Sequence, residues 1–312
     1  MLAVKTLVPQ PVIFRRNVRL MGDMFEISVV GDNRDWADDR IDEAIVEISR
    51  VEKLLSTFGD DSPVNEINRY AGAKPVKTNP EIFRLIERAM QISDLTQGAF
   101  DLTYYSPDQE NNRVSDTPEK NSKATKQGNL NYQNIILDQR ATTVFLKEKG
   151  MRIGFGANCR GYAADRAKYI LQMNGVGSGV INAGGDLLAW GLQLDNEPWT
   201  VGTADPSQKG MPLAGIEISN MALATSANAD KHTASLQKKP SMVAQAIKGF
   251  AVSSIRSVSV LSPTAELSDS MASPLMTIGI NNGLYIVNQL NQMACVMVDD
   301  NDRLYTSKGV NI

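Results

Sequence analysis

The chain has 312 residues, 42% of them hydrophobic, enough to bury one large core or two ordinary ones. Its 32 basic and 35 acidic side chains leave a net charge of −3, which argues against a nucleic-acid binder, and no apolar run is long enough to span a membrane. The two cysteines, Cys159 and Cys295, form neither a metal motif nor a disulfide framework, and the single His232 gives no support to a zinc site or a Ser-His-Asp mechanism.

Residues 1–16 read as an N-terminal extension. Their apolar run is too short for a signal peptide and is interrupted by Pro9 and Pro11, which is compatible with a mature form whose targeting segment has been removed. Residues 17–30 alternate and read as a strand pair or one bent strand. Residues 35–56 form an amphipathic helix with Ile41, Ala44, Ile45, Ile48, Val51 and Leu55 as its buried stripe. Acidic residues crowd its first turns, as the helix dipole favours, and read as a solvated face. A loop with a short helix follows. Asn79 then caps a helix from Pro80 to about Ser93 that leads into Gly98-Ala99-Phe100-Asp101. Residues 105–131 are polar, lack apolar periodicity and read as a mobile excursion. Strands resume at Ile135–Leu137 and Thr143–Leu146, joined by a turn at Asp138–Ala141.

The stretch from Gly154 to Gly191 organises the rest. Gly154, Gly156 and Gly161 read as a glycine turn, Tyr162 to about Met173 as a helix, Gly179–Asn182 as a buried strand, and Ala183–Asp186 as a second glycine turn. A helix N-terminus after a glycine turn can hold a phosphate. The spacing matches neither the Rossmann nor the P-loop pattern, so a nucleotide cradle and a plain structural turn both stay open. Further strands fall at 199–202, 214–218, 221–225, 255–261 and 294–298, and the pattern from 226 to 247 is weak. Residues 263–278 have helical apolar spacing with Pro274 inside, Gly279 can end that helix, and a second helix runs from about Gly283 to Leu290. Strands and helices alternate without regular βαβ order, so the fold class is α+β: one compact domain over 17–308, with mixed or antiparallel sheets and flanking helices.

Taken in order, several segments resemble the ApbE family of FAD:protein FMN transferases. They are Met21-Gly22, LSTFGDDSPVNEIN at 55–68, GAFD at 98–101, GFGANCRGYAADRA at 154–167, INAGGDLLAWG at 181–191, the Trp199 strand, LATS at 223–226 and SVSVLSPTAELSDSMASPLMTIG at 257–279. The resemblance covers about residues 17–308. It implies the T-fold-related α+β core shared with thiamine-biosynthesis-like lipoproteins. It also implies an activity: the FMN part of FAD is transferred through its phosphate to a threonine hydroxyl of a target flavoprotein, with release of AMP and a need for magnesium. Family members usually work in the periplasm or otherwise outside the cytoplasm, often lipid-anchored, on a membrane-bound flavoprotein of an ion-pumping oxidoreductase.

By the same resemblance, flavin contacts fall on Met21, Phe58, Ala99, Phe100, Asp101, Ile153, Cys159 and Ala244. Magnesium contacts fall on the Gly156 carbonyl, Asp269, Ala272 and Ser273. The plain alternatives are a core strand residue for Met21, a core residue for Phe100 and a turn cap for Asp101. Arg160 replaces the usual lysine and keeps its charge. The family's histidine motif is lost: Met242 stands at the histidine, Gln245 at the aspartate, Ala246 at the proline, Lys248 at the threonine, and Ala227 at an earlier turn glycine. No catalytic residue is therefore assigned. The alternative function is an impaired member that binds flavin or keeps only the scaffold.

Overall fold

The computed structural model describes residues 10–57, 62–105, 131–156, 158–204, 212–227 and 255–309. Phe58, Ala244, His232, Met242, Gln245, Ala246, Lys248 and nearly all of the polar excursion lie outside the described residues. The chain groups into two compact units, residues 1–52 with 157–312, and residues 53–156.

In the first unit, β1 (Val12–Leu20) and β2 (Asp23–Gly31) form an antiparallel hairpin that begins inside the stretch read as an extension. Met21 and Gly22 make its two-residue turn with φ of 54° and 79°, positive at both central positions as a type I′ hairpin turn requires. Met21 is thus a half-buried turn residue and not the strand residue of its plain alternative. Helix α1 (Arg34–Leu55) buries Ala37, Ile41, Ala44, Ile48, Val51 and Leu55, with Ile45 at the edge of the stripe. In its acidic first turns Asp35, Asp39 and Asp42 are exposed and Asp38 half-buried, and only further along is an acidic residue buried. Glu47 is buried between Arg50 and Arg166, each at 2.8 Å, and Arg16 reaches Asp38 at 2.9 Å and Asp42. Arg50 lies three residues on in the same helix, but Arg16 and Arg166 come from elsewhere in the chain, which helical periodicity does not report.

The second unit holds α2 (Pro63–Arg69), β3 (Val76–Lys77), α3 (Pro80–Leu95), β4 (Thr103–Tyr105), β5 (Ile135–Asp138), β6 (Thr143–Leu146) and β7 (Met151–Ile153). Asn79 caps α3 by accepting the Ile82 N–H at 2.8 Å. The strands form a small sheet, β3-β6-β5, and a pair, β4-β7. Asn68 of α2 clasps the Ile153 backbone, donating to its carbonyl at 2.9 Å and accepting its N–H at 2.7 Å.

The remaining elements return to the first unit. They are α4 (Asn158–Met173), β8 (Gly179–Ala183), β9 (Asp186–Trp190), β10 (Trp199–Ala204), β11 (Pro212–Ile218), β12 (Met221–Ala227), β13 (Ile255–Ser262), α5 (Ala265–Ile278), α6 (Ile280–Val287), β14 (Ala294–Asp299) and β15 (Leu304–Thr306). Eight strands make one antiparallel sheet in the order β1-β2-β8-β9-β12-β13-β14-β15. Phe25, Ile27, Val29, Ile181, Leu188 and Trp190 are fully buried and share one face, on which α4 and α5 pack. Ala189, Leu223 and Leu261 point the other way and build a core with Trp199 and Ile218 of the β10-β11 pair. The fold is α+β with antiparallel sheets, as the sequence implied.

One glycine reading and one proline reading change. Helix α4 starts at Asn158, so Gly161 lies within the helix and not in the preceding turn. A Cβ there would sit 2.5 Å from the Ala265 carbonyl oxygen, so this glycine serves the close approach of α5. Pro274 also fails to interrupt α5, which runs unbroken through it. The missing N–H costs about 3 kcal/mol, and burial of Met271, Ala272, Pro274 and Leu275 on one face offsets it.

Candidate functional site

One end of the eight-stranded sheet gathers the chemistry of the first unit. The β1-β2 turn and the β8-β9 turn lie side by side there, joined by the Gly184 N–H donating to the Met24 carbonyl at 2.9 Å. Gly184 has φ of 69°, and a Cβ at that position would meet the Asp23 carboxylate at 2.5 Å. Both the turn and the approach of Asp23 therefore require glycine. Arg160, in the first turn of α4, faces this edge and lies 3.9 Å from both Asp23 and Asp186. Asp186, at the head of β9, accepts the Thr225 N–H at 3.2 Å, and the Thr225 hydroxyl pairs with that of Ser259 at 2.8 Å. Asp269 of α5 completes the cluster, facing Arg160 and the Gly161 N–H.

Asp186 and Asp269 are held where ionisation is costly. Burial and the nearby Asp269 push Asp186 up to about 7, against the opposing pull of the Thr225 N–H and Arg160. Burial raises Asp269 as well, eased by Arg160 and the Gly161 N–H. Burial pushes the Cys159 thiol up to about 11, so Cys159 is no thiolate nucleophile at neutral pH.

The expected flavin and metal residues divide between the units. Met21, Cys159, Asp269, Ala272 and Ser273 belong to the first, and Ala99, Phe100, Asp101, Ile153 and Gly156 to the second. Asp269 and Ser273 occupy successive turns of α5, as their spacing implied. In the second unit Phe100 is half-buried, and Ile153 is fully buried in β7 opposite Thr103. Asp101 braces two backbone segments, accepting the Thr103 N–H at 2.8 Å and the Tyr132 N–H at 3.0 Å. Burial raises its pKa, and those hydrogen bonds hold it back. Asp23 and Asp165 went unread in the sequence. For Asp23 the adjacent Met21-Gly22 turn was the available signal; for Asp165 there was none beyond its place in the GYAAD run.

The donor set is compatible with a hard cation. Oδ2 of Asp269 is buried with no hydrogen-bond partner among the described residues, the condition expected of an oxygen kept for another ligand. No group of three or more His, Cys, Asp or Glu residues able to hold a metal occurs among the described residues. Magnesium does not need one, because it binds through one or two carboxylates and keeps waters and phosphate oxygens as its other ligands.

The family profile described as ApbE family matches residues 21–297. An FAD:protein FMN transferase of Klebsiella pneumoniae (strain 342) is 27% identical over 260 residues, 81% of this chain and 80% of that protein. A protein of the same name from Treponema pallidum (strain Nichols) is 22% identical over 288 residues, 86% of this chain and 80% of its own. Among solved structures, the ApbE protein of Thermotoga maritima superposes with a TM-score of 0.74 at 22% identity, over 95% of this chain and 97% of that one. The flavin transferase ApbE from Vibrio cholerae gives 0.75 at 19% identity, over 96% and 98%. These structures show the α+β fold of the flavin transferases. The chain belongs to the ApbE family.

Proposed function

We propose that this chain transfers the FMN part of FAD to a threonine hydroxyl of a target flavoprotein, with magnesium required and AMP released. The threonine oxygen forms a new bond to the FMN phosphorus as its proton passes to solvent water. The P–O bond to the AMP phosphate breaks, and AMP departs with the bridging oxygen. Magnesium, when bound, supplies neutralisation of the charge on the phosphate oxygens. The observation that carries the reading is Oδ2 of Asp269, buried and without a hydrogen-bond partner among the described residues. Asp269 and Ser273, with the Ala272 carbonyl, would hold the cation from α5. Arg160 adds a permanent positive charge at the same edge, where a diphosphate needs one.

The test incubates the full chain with FAD, magnesium and an acceptor flavoprotein of the ion-pumping oxidoreductase type. It reads AMP by chromatography and covalent flavin by in-gel fluorescence. The expected result is stoichiometric AMP and acceptor flavin, both lost with EDTA and in Asp269→Asn. FAD bound without AMP in any condition would overturn the transfer reading and leave a flavin binder.

A further inference from the structure

Helix α5 carries the candidate metal ligands, and its start is held from α4. The two carboxylate oxygens of Asp165 accept the backbone N–H groups of Ala265 and Glu266, each at 2.9 Å. These are among the N–H groups that a helix start leaves without an intrahelical partner. The helix also has a cap of its own, the Thr264 hydroxyl accepting the Leu267 N–H at 3.4 Å. One turn before Asp165, Gly161 brings the two backbones into contact: a Cβ there would lie 2.5 Å from the Ala265 oxygen and 2.9 Å from the Glu266 nitrogen. The Gly161 N–H faces the carboxylate of Asp269. From the sheet side, the Ser268 hydroxyl pairs with that of Ser262 at 2.8 Å and donates to the Ala222 carbonyl at 3.3 Å. The rotation of α5 about its axis is thus fixed on both sides, and on the α4 side Asp165 fixes it.

We infer that Asp165 is a positioning residue of the metal site, setting the depth and rotation of α5 and so the direction in which Asp269 presents its free oxygen. The inference rests on the reading of Asp269 as a magnesium ligand. A carboxylate that merely closed a helix end would change stability alone. One that aims a ligand changes metal affinity too, as partners standing behind metal ligands typically do by 10–100-fold.

The experiment titrates magnesium into the full chain by calorimetry and records metal-free melting temperatures. It compares the wild type with Asp269→Asn, Asp165→Asn and Thr264→Ala. Asp269→Asn should lose binding. Asp165→Asn should bind about tenfold more weakly or worse. Thr264→Ala, which weakens the same helix end without touching α4, should melt lower and keep its affinity. If Asp165→Asn does not fold, Asp165→Glu keeps the charge but displaces both oxygens by a methylene, and should show the same loss. Wild-type affinity in the Asp165 variant, with binding lost in Asp269→Asn, overturns this inference alone. Equal weakening in Thr264→Ala also overturns it. Binding undiminished in Asp269→Asn overturns the metal reading together with the inference.

Discussion

At Asp186 three demands meet in one carboxylate: burial, a second carboxylate nearby, and a guanidinium at 3.9 Å that offsets them only partly. Its pKa is raised from an ordinary 3.8 to about 7. With the folded value above the unfolded one, the stabilising contribution is complete below pH about 3.8 and is lost as pH rises through about 7. At about 1.4 kcal/mol per pH unit, ionised Asp186 opposes the ligand-free fold by an amount on the order of 4 kcal/mol at most. Asp186→Asn keeps an oxygen for the Thr225 N–H and removes the buried charge. It should therefore stabilise the metal-free protein by about 2 kcal/mol at pH 8, after the lost attraction to Arg160 is counted. It should also flatten the decline in stability between pH 5 and pH 8. Urea unfolding at both pH values in EDTA measures this, and a variant as pH-dependent as the wild type would refute it. The turn that carries Asp186 was readable from its glycine doublet. Its environment was not, because Arg160, Thr225 and Asp269 come from three other elements.

At the scale of elements, helices with a local signature were legible. Asn79 and Pro80 mark the start of α3, and apolar periodicity marks α1. What local sequence could not carry was the reason for a residue type when that reason is another element. Gly161 looks like a turn because glycine commonly makes turns, yet it is helical and answers to the backbone of α5. Glu47 carries no local sign of a distant partner, yet it joins α1 to α4 through Arg166. Burial alone would raise the Glu47 pKa, but hydrogen bonds from Arg50 and Arg166 outweigh it and leave it below 4.5. With the folded value depressed, this contribution is present above about pH 4.5 and is lost as pH falls through the folded value. Glu47→Gln should accordingly lower stability by about 1–3 kcal/mol at pH 7, with the difference from wild type shrinking below pH 4. Paired denaturant curves at pH 7 and pH 3.5 read both parts; an equal deficit at the two would show that charge is not what Glu47 contributes.

For the whole molecule, the family was legible because short motifs recur in a fixed order along nearly the full chain, although each is weak alone. The strand order was not, since β2 pairs with β8 and β9 with β12 across long intervening segments. That order brings Asp23, Arg160, Asp186 and Asp269 to one edge, and the proposed cation, held from α5, would bind only when the first unit is folded. A ligand that binds only the folded form stabilises it by RT ln(1 + [L]/Kd), about 2.7 kcal/mol at a hundredfold excess over the dissociation constant. Amides that exchange only when this unit opens should then slow by about a hundredfold. The slowing should be clearest in α5 and the first turns of α4, where Gly161, Asp165, Ala265 and Asp269 meet. Hydrogen exchange of the FAD-free chain, with magnesium against EDTA, measures it segment by segment. The effect should disappear in Asp269→Asn. Protection that rises equally in that variant would place the cation elsewhere, because a carboxamide replaces the negatively charged oxygen that magnesium favours with a weaker, neutral ligand.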